Sequence, residues 1–335
     1  MMIETYNATF GILLIFIAGI CSGIFSVPFN RNVQWNWENN WFIWSFTALL
    51  ILPCIVAFLT IPNLHLLYVS EWETTFVVAL CGLVWGIGAI MFGKGIYYLG
   101  LSLSLPIMQG LINAVGTILP IVIINPLDLF RPVGVKIMIG VLIMIVGIVL
   151  CSFAGKKKNE QERKPEHRNF KRGLFICIMA GVLGPMINLA FVFGAPLQEA
   201  AMASGVSSFY AANTVWCVAL GSGILVNLVE CIRLFRRNHS FIRYKFHLAP
   251  GILWAFLAGV IWYLSILFYG MGGNQLGVIG ASVGWAVMQS TSIIVGYIAG
   301  FLMGEWNNTS KSSIYVMLFG LFMLLIGIGV VSDIC

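Results

Sequence analysis

Charge is what this 335-residue chain has least of: only 9% of its residues are Asp, Glu, Lys or Arg, against roughly a quarter in a soluble domain. With 60% hydrophobic residues and a mean hydropathy of +0.96, water is excluded as its main solvent. The eight cysteines (Cys21, Cys54, Cys81, Cys151, Cys177, Cys217, Cys231, Cys335) form no CxxC pair and sit mostly in apolar runs, so they read as small packing residues rather than a disulfide framework. The four histidines, His65, His167, His239 and His247, fall in expected loops without ligand spacing, which argues against a metal. There is no GxSxG, no HExxH and no pair of acids within an apolar run, so a membrane enzyme is disfavoured and no cofactor is expected. Met1 to Thr9 lacks Lys and Arg and carries Glu4, unlike a cleavable signal, so the first apolar run is expected to persist.

What the chain has in abundance is long apolar runs. Crossing the hydrocarbon layer takes about 20 apolar residues in a helix, and ten such runs lie near 10–29, 41–61, 75–99, 102–124, 133–153, 173–194, 208–231, 250–271, 277–303 and 314–332. They are continuously apolar, whereas barrel strands alternate in short segments. The expected fold is therefore all-α, ten spans in a lipid bilayer.

Orientation follows from the basic residues, which favour cytoplasmic loops. Lys156, Lys157, Lys158, Arg163, Lys164, Arg168, Lys171 and Arg172 join the fifth and sixth runs, and Arg233, Arg236, Arg237, Arg243 and Lys245 join the seventh and eighth. Both clusters belong in the cytoplasm, which puts both termini outside a bacterial-type inner membrane. Their position in short connecting loops accounts for the net charge of +6 without a nucleic-acid partner.

The two halves repeat. An offset of 177 places Gly82 on Gly259, Trp85 on Trp262, Gly93 on Gly270 and Leu99 on Leu276; at 180, Met108 falls on Met288, Gln109 on Gln289, Gly116 on Gly296, Gly140 on Gly320 and Gly147 on Gly327; at 162, Gly11 meets Gly173 and Gly19 meets Gly181. The expected organisation is a first five-helix repeat over 1–154, a basic cytoplasmic linker over 155–172 and a second repeat over 173–335. An odd helix count inverts the second unit, as in secondary transporters.

Read together, these segments resemble the L-rhamnose/proton symporter family of the drug/metabolite transporter superfamily. The resemblance rests on Pro28-Phe29, Trp35-Asn36-Trp37-Glu38, Trp41, Trp85-Gly86-Ile87-Gly88, Tyr98-Leu99-Gly100, Gly116-Thr117, Lys171-Arg172-Gly173, Ala195-Pro196, Glu199-Ala200-Ala201, Gly205-Val206, Trp262-Tyr263 and Glu305-Trp306-Asn307-Asn308. It implies proton-driven uptake of a small neutral sugar, L-rhamnose or a related deoxyhexose. Where the family pattern interleaves two Asn and a Tyr-Gly with Ile, this chain has Ala89, Ile90, Met91, Phe92, Gly93 and Lys94, a loss of polar groups that leaves room for a different sugar. A metabolite or drug exporter, and a receptor or channel for a small polar solute, are the alternatives.

A sugar site needs amides and hydroxyls beside aromatic faces. The candidates are Gln109, Asn113 and Thr117 on one face of the fourth run, Trp285, Gln289 and Ser292 on the ninth, Trp262 and Tyr263 on the eighth and Trp85 on the third. For each amide an interhelical hydrogen bond is the plainer alternative, and for each tryptophan, core packing. Proton coupling has three candidates: Glu199, expected in an outer loop after Pro196; Lys94, whose stem can also snorkel to the headgroups; and Glu38, expected near arginines.

Overall fold

The computed structural model describes residues 7–99, 101–161, 170–245, 248–303 and 309–332. Among them the chain is helical without a strand, and ten segments are long and apolar enough to cross a membrane. In chain order the spans are Ala8–Arg31, Trp37–Thr60, Trp72–Gly95, Ile107–Ile124, Pro132–Cys151, Lys171–Ala203, Ser208–Asn238, Leu248–Gln275, Gly280–Leu302 and Lys311–Val331, matching the ten apolar runs. Helices satisfy every backbone amide and carbonyl within one segment, which hydrocarbon demands.

Two local expectations are corrected. Span 6 does not end near residue 194: it breaks at Gly184 and Pro185, resumes over Met186–Phe193, and continues as Ala195–Ala203. Pro196 occupies the first turn of that last helix, where its missing amide hydrogen costs nothing, so Glu199 lies on a helix rather than in a loop. His65 likewise sits on a short helix, Leu64–Ser70. The fifth helix runs on to Gln161, into the start of the expected linker. Residues 162–169 of that linker and the Glu305 to Asn308 motif lie outside the described residues.

The packing exchanges under a swap of each span with the one five places on. Span 1 packs on spans 8 and 9, as span 6 packs on spans 3 and 4; span 7 packs on span 3, as span 2 packs on span 8; and spans 5 and 10 pack on each other. Glycines make these approaches possible. A side chain on Gly140 would meet Val331 and the Gly327 carbonyl, and one on Gly327 would meet the Gly140 carbonyl; Gly147 and Gly320 stand in the same reciprocal relation. Such an exchange, i against j′ and j against i′, is the signature of a two-fold contact.

Span 3 crosses span 7 most tightly at Gly82, where an added β-carbon would overlap the Ala219 carbonyl and the Ser222 hydroxyl. Gly82→Val should therefore destabilise the purified protein by about 1–3 kcal/mol through overpacking. Gly93→Ala, which meets nothing within 4 Å, should leave the unfolding temperature unchanged or higher. Equal melting curves for the two variants would refute this account of the contact.

Candidate functional site

Where spans 1, 2, 3, 4, 6, 8 and 9 converge they leave a cavity of about 230 Å³, below the ~300–1,000 Å³ typical of drug-sized pockets and suited to a small solute. Among the described residues no charged side chain lines it. Its wall holds five tryptophans, Trp41, Trp44, Trp85, Trp262 and Trp285, with Phe25 and Phe92, and its polar groups are Gln109, Gln289, Ser22, Ser265 and Ser292.

The aromatic wall is continuous. Trp41 and Trp44 stack with ring centroids 4.3 Å apart, Trp44 meets Trp262 edge-on at 5.1 Å, and Trp262 stacks on Trp85 at 5.6 Å. Residues related by the sequence repeat thus face one another. Two of the rings are anchored at their polar ends: the Trp41 indole N–H donates to Asn227 Oδ1 at 2.9 Å and that of Trp285 to the Ile112 carbonyl at 3.1 Å. Gln109 and Gln289, the second repeat-related pair, also line the cavity, half-buried. Ala89 and Phe92, from the stretch that departs from the family pattern, form part of the apolar wall.

Of the nine residues expected to contact solute, six line this cavity, Trp85, Gln109, Trp262, Trp285, Gln289 and Ser292, and Thr117 is not among them. Asn113 does not line it. It is fully buried one turn behind Gln109, donating to Ser290 Oγ at 3.1 Å and accepting from Thr117 Oγ1 at 3.3 Å, the interhelical hydrogen bond that was its plainer alternative. Tyr263 is also outside the wall, 2% exposed, because successive helical residues point about 100° apart and its neighbour Trp262 takes the inward direction.

None of the three ionisable candidates lines the cavity. Glu199 is exposed. Lys94 Nζ lies 3.6 Å from Glu230, which also receives two bonds from Arg233 at 2.7 and 2.8 Å. Glu38 differs from expectation: it is 3% exposed, and among the described residues no cation pairs with it. Its carboxylate accepts from the Ser240 hydroxyl, from Asn238 Nδ2 at 2.9 Å and from Asn36 Nδ2 at 3.3 Å. Nearby, the Tyr244 phenol donates to the Asn39 carbonyl at 2.9 Å, and burial pushes its pKa up, so it adds no charge. Glu38 joins span 2 to the connection between spans 7 and 8 through neutral donors alone, one turn from Trp41.

The sequence reading missed Trp44 and Ser265 in the wall, and it missed Asn188, a fully buried amide just beyond it. Asn188 carried a signal, following the helix-breaking Gly184-Pro185 within an apolar run.

Comparison with known proteins agrees with this architecture. Residues 5–333 match the family model described as L-rhamnose-proton symport protein. A protein of Yersinia pestis (strain Pestoides F) named L-rhamnose-proton symporter is 29% identical over 332 residues, covering 96% of each chain. One of Escherichia coli O1:K1 / APEC with the same name is 30% identical over 334 residues, covering 97% of each.

The placement of Asn113 separates structure from recognition. Asn113→Leu should lower stability by about 0.6–1.7 kcal/mol, the range for interhelical hydrogen bonds in bilayers, while sparing solute affinity. Weakened binding at an unchanged melting temperature would instead return Asn113 to the site.

Proposed function

This chain belongs to the L-rhamnose-proton symport protein family, and from that premise we propose that it is a secondary transporter that takes up L-rhamnose or a related deoxyhexose with a proton by alternating access. It is a multi-pass protein of the inner membrane. The observation that carries the reading is a mid-bundle cavity with an uncharged wall, where Gln109 and Gln289 present amides and stacked tryptophans present faces. An amide offers both donors and an acceptor to hydroxyls without the cost of burying a charge. Aromatic faces and the apolar Ala89 and Phe92 suit the C–H and methyl surface of a deoxy sugar. The two halves are read as inverted repeats with both termini outside, supported by the exchanged packing of spans 5 and 10 and by the basic loops. The cavity then faces the cytoplasm. Along span 9 every residue from Gly280 to Met288 is buried, whereas Ser292 to Tyr297 are half-buried, so the cavity loosens toward the basic end.

For the proton, burial favours Glu38 over Glu199 and Lys94. A carboxylate held only by neutral donors has no cation fixing its charge, so breaking those hydrogen bonds would favour protonation. One turn along span 2, Trp41 connects it to the cavity wall.

Uptake of labelled L-rhamnose into right-side-out vesicles under an imposed pH gradient tests the function, with a panel of other neutral sugars as competitors. Accumulation that collapses with a protonophore is expected, and no sugar accumulating at any gradient would refute the reading. Replacing Gln109 or Gln289 by Leu should weaken binding roughly two- to tenfold, the loss of one hydrogen bond, without a matching loss of melting temperature. In Glu38→Gln, gradient-driven accumulation should disappear while sugar exchange at equilibrium persists; normal accumulation would remove Glu38 from the coupling step.

A further inference from the structure

Just beyond the cavity wall on one side lies a knot of hydrogen bonds centred on Asn188. Asn188 donates its two amide hydrogens to the carbonyls of Gly116 in span 4 and Ala281 at the start of span 9, each at 2.8 Å, and its oxygen accepts from the Tyr269 hydroxyl of span 8. Both Asn188 and Tyr269 are fully buried. Each partner lies one helical turn, or less, beyond a residue of the cavity wall: Asn188 beyond Ile187, Gly116 beyond Ile112, Ala281 beyond Trp285 and Tyr269 beyond Ser265. Around this knot Phe191 stacks on Trp216 at 5.5 Å, and Tyr269 meets Trp285 edge-on at 5.8 Å. A β-carbon on Gly116 would overlap the Trp285 ring.

The backbone here is suited to rearrangement. Span 6 is interrupted at Gly184 and Pro185 just before Asn188, and span 9 opens with a π-helical turn over Gly280–Gly284. Such turns mark places where a helix changes register at low cost.

The repeat supplies the contrast. By the offsets of 162, 177 and 180, the counterparts of Asn188, Tyr269 and Gly116 at the opposite end are Ser26, Phe92 and Gly296. Ser26 is exposed and Phe92 half-buried, and a β-carbon on Gly296 would meet only the Gly23 carbonyl, at 3.7 Å. One end is knotted, and its mates at the other are apart.

We propose that Asn188, bridging spans 4, 6, 8 and 9 with Tyr269, is the positioning residue that latches the cavity shut at the end away from the basic loops. Opening that end requires the three hydrogen bonds to break together, so the latch sets how the protein divides its time between its two faces. The inference rests on the alternating-access reading above, but its test needs no sugar.

In a cysteine-free background, Ser265→Cys places a near-isosteric thiol on the cavity floor. A membrane-impermeant methanethiosulfonate is applied from either face, with right-side-out and inside-out vesicles. Adding Asn188→Ala should raise the labelling rate from the face opposite the basic loops by about 20-fold or more, the population shift that loss of three hydrogen bonds of average strength in a bilayer implies. Tyr269→Phe, which keeps the ring packing and removes one hydrogen bond, should give a smaller increase in the same direction and covers the case in which Asn188→Ala fails to fold. Lower melting temperatures with unchanged labelling, or an increase only from the basic-loop face, would overturn the latch. If these labelling changes hold while the unsubstituted protein accumulates no sugar, the latch stands and the transport reading falls.

Discussion

A polar group inside hydrocarbon has no water to turn to, and this structure is organised around where such groups find partners. The backbone meets the demand by being helical through every described span. Side chains meet it in three ways. Asn113 pairs with Ser290 between spans 4 and 9, Asn227 accepts from Trp41 between spans 7 and 2, and Asn188 uses both its N–H groups and its oxygen on two carbonyls and a phenol. Buried polar atoms without a partner remain elsewhere, at Trp44, Trp216, Tyr263 and Thr291 among others, but Gln109 and Gln289, whose amides also have no hydrogen-bond partner among the described residues, are the two amides that line the cavity. Polar groups left open in an apolar bundle are costly, and on the transport reading proposed above an incoming polyol would remove that cost at these two amides.

The spans and the repeat were legible because both are recorded in composition and spacing. A run of some 20 apolar residues has few readings, and Trp85 with Trp262, or Met108-Gln109 with Met288-Gln289, kept a constant separation despite divergence around them. The site was legible in part. Sequence identifies which residue types belong in a sugar cavity, but not which face of a helix turns inward once neighbours are packed. Trp262 and Tyr263 are adjacent, and only one reaches the cavity; Gln109 and Asn113 share a face, yet the second is covered by Ser290. The reading of Glu38 as an arginine partner failed for a similar reason: arginines nearby in sequence do not approach it, whereas Asn238 and Ser240, some two hundred positions away, do. Pro196 read as a helix terminator because proline breaks a helix interior, although its fixed φ fits a first turn well.

An uncharged cavity wall constrains the mechanism more than any single residue. If no ionisable side chain touches the solute, proton and sugar cannot be coupled by competing for one group, and the link must pass through the shape of the protein. A ligand shifts a two-state equilibrium only by its differential affinity for the two states. For the sugar, on the proposed reading, that difference would arise where the wall tightens or loosens around Gln109, Gln289 and the tryptophans. For the proton, it arises where a carboxylate gains or loses its donors. Glu38 meets the second condition in this conformation, since three neutral donors from two parts of the chain hold its charged form. Trp41, one turn away on the same helix and hydrogen-bonded to span 7, joins the two conditions: moving span 2 changes at once the donors around Glu38 and the aromatic wall around the solute. Among the described residues no Asp, Glu, Lys, Arg or His bonds to Asn188 or Tyr269, so on the proposed reading the opening of that end would respond to protonation of Glu38 only through the shared movement of the helices.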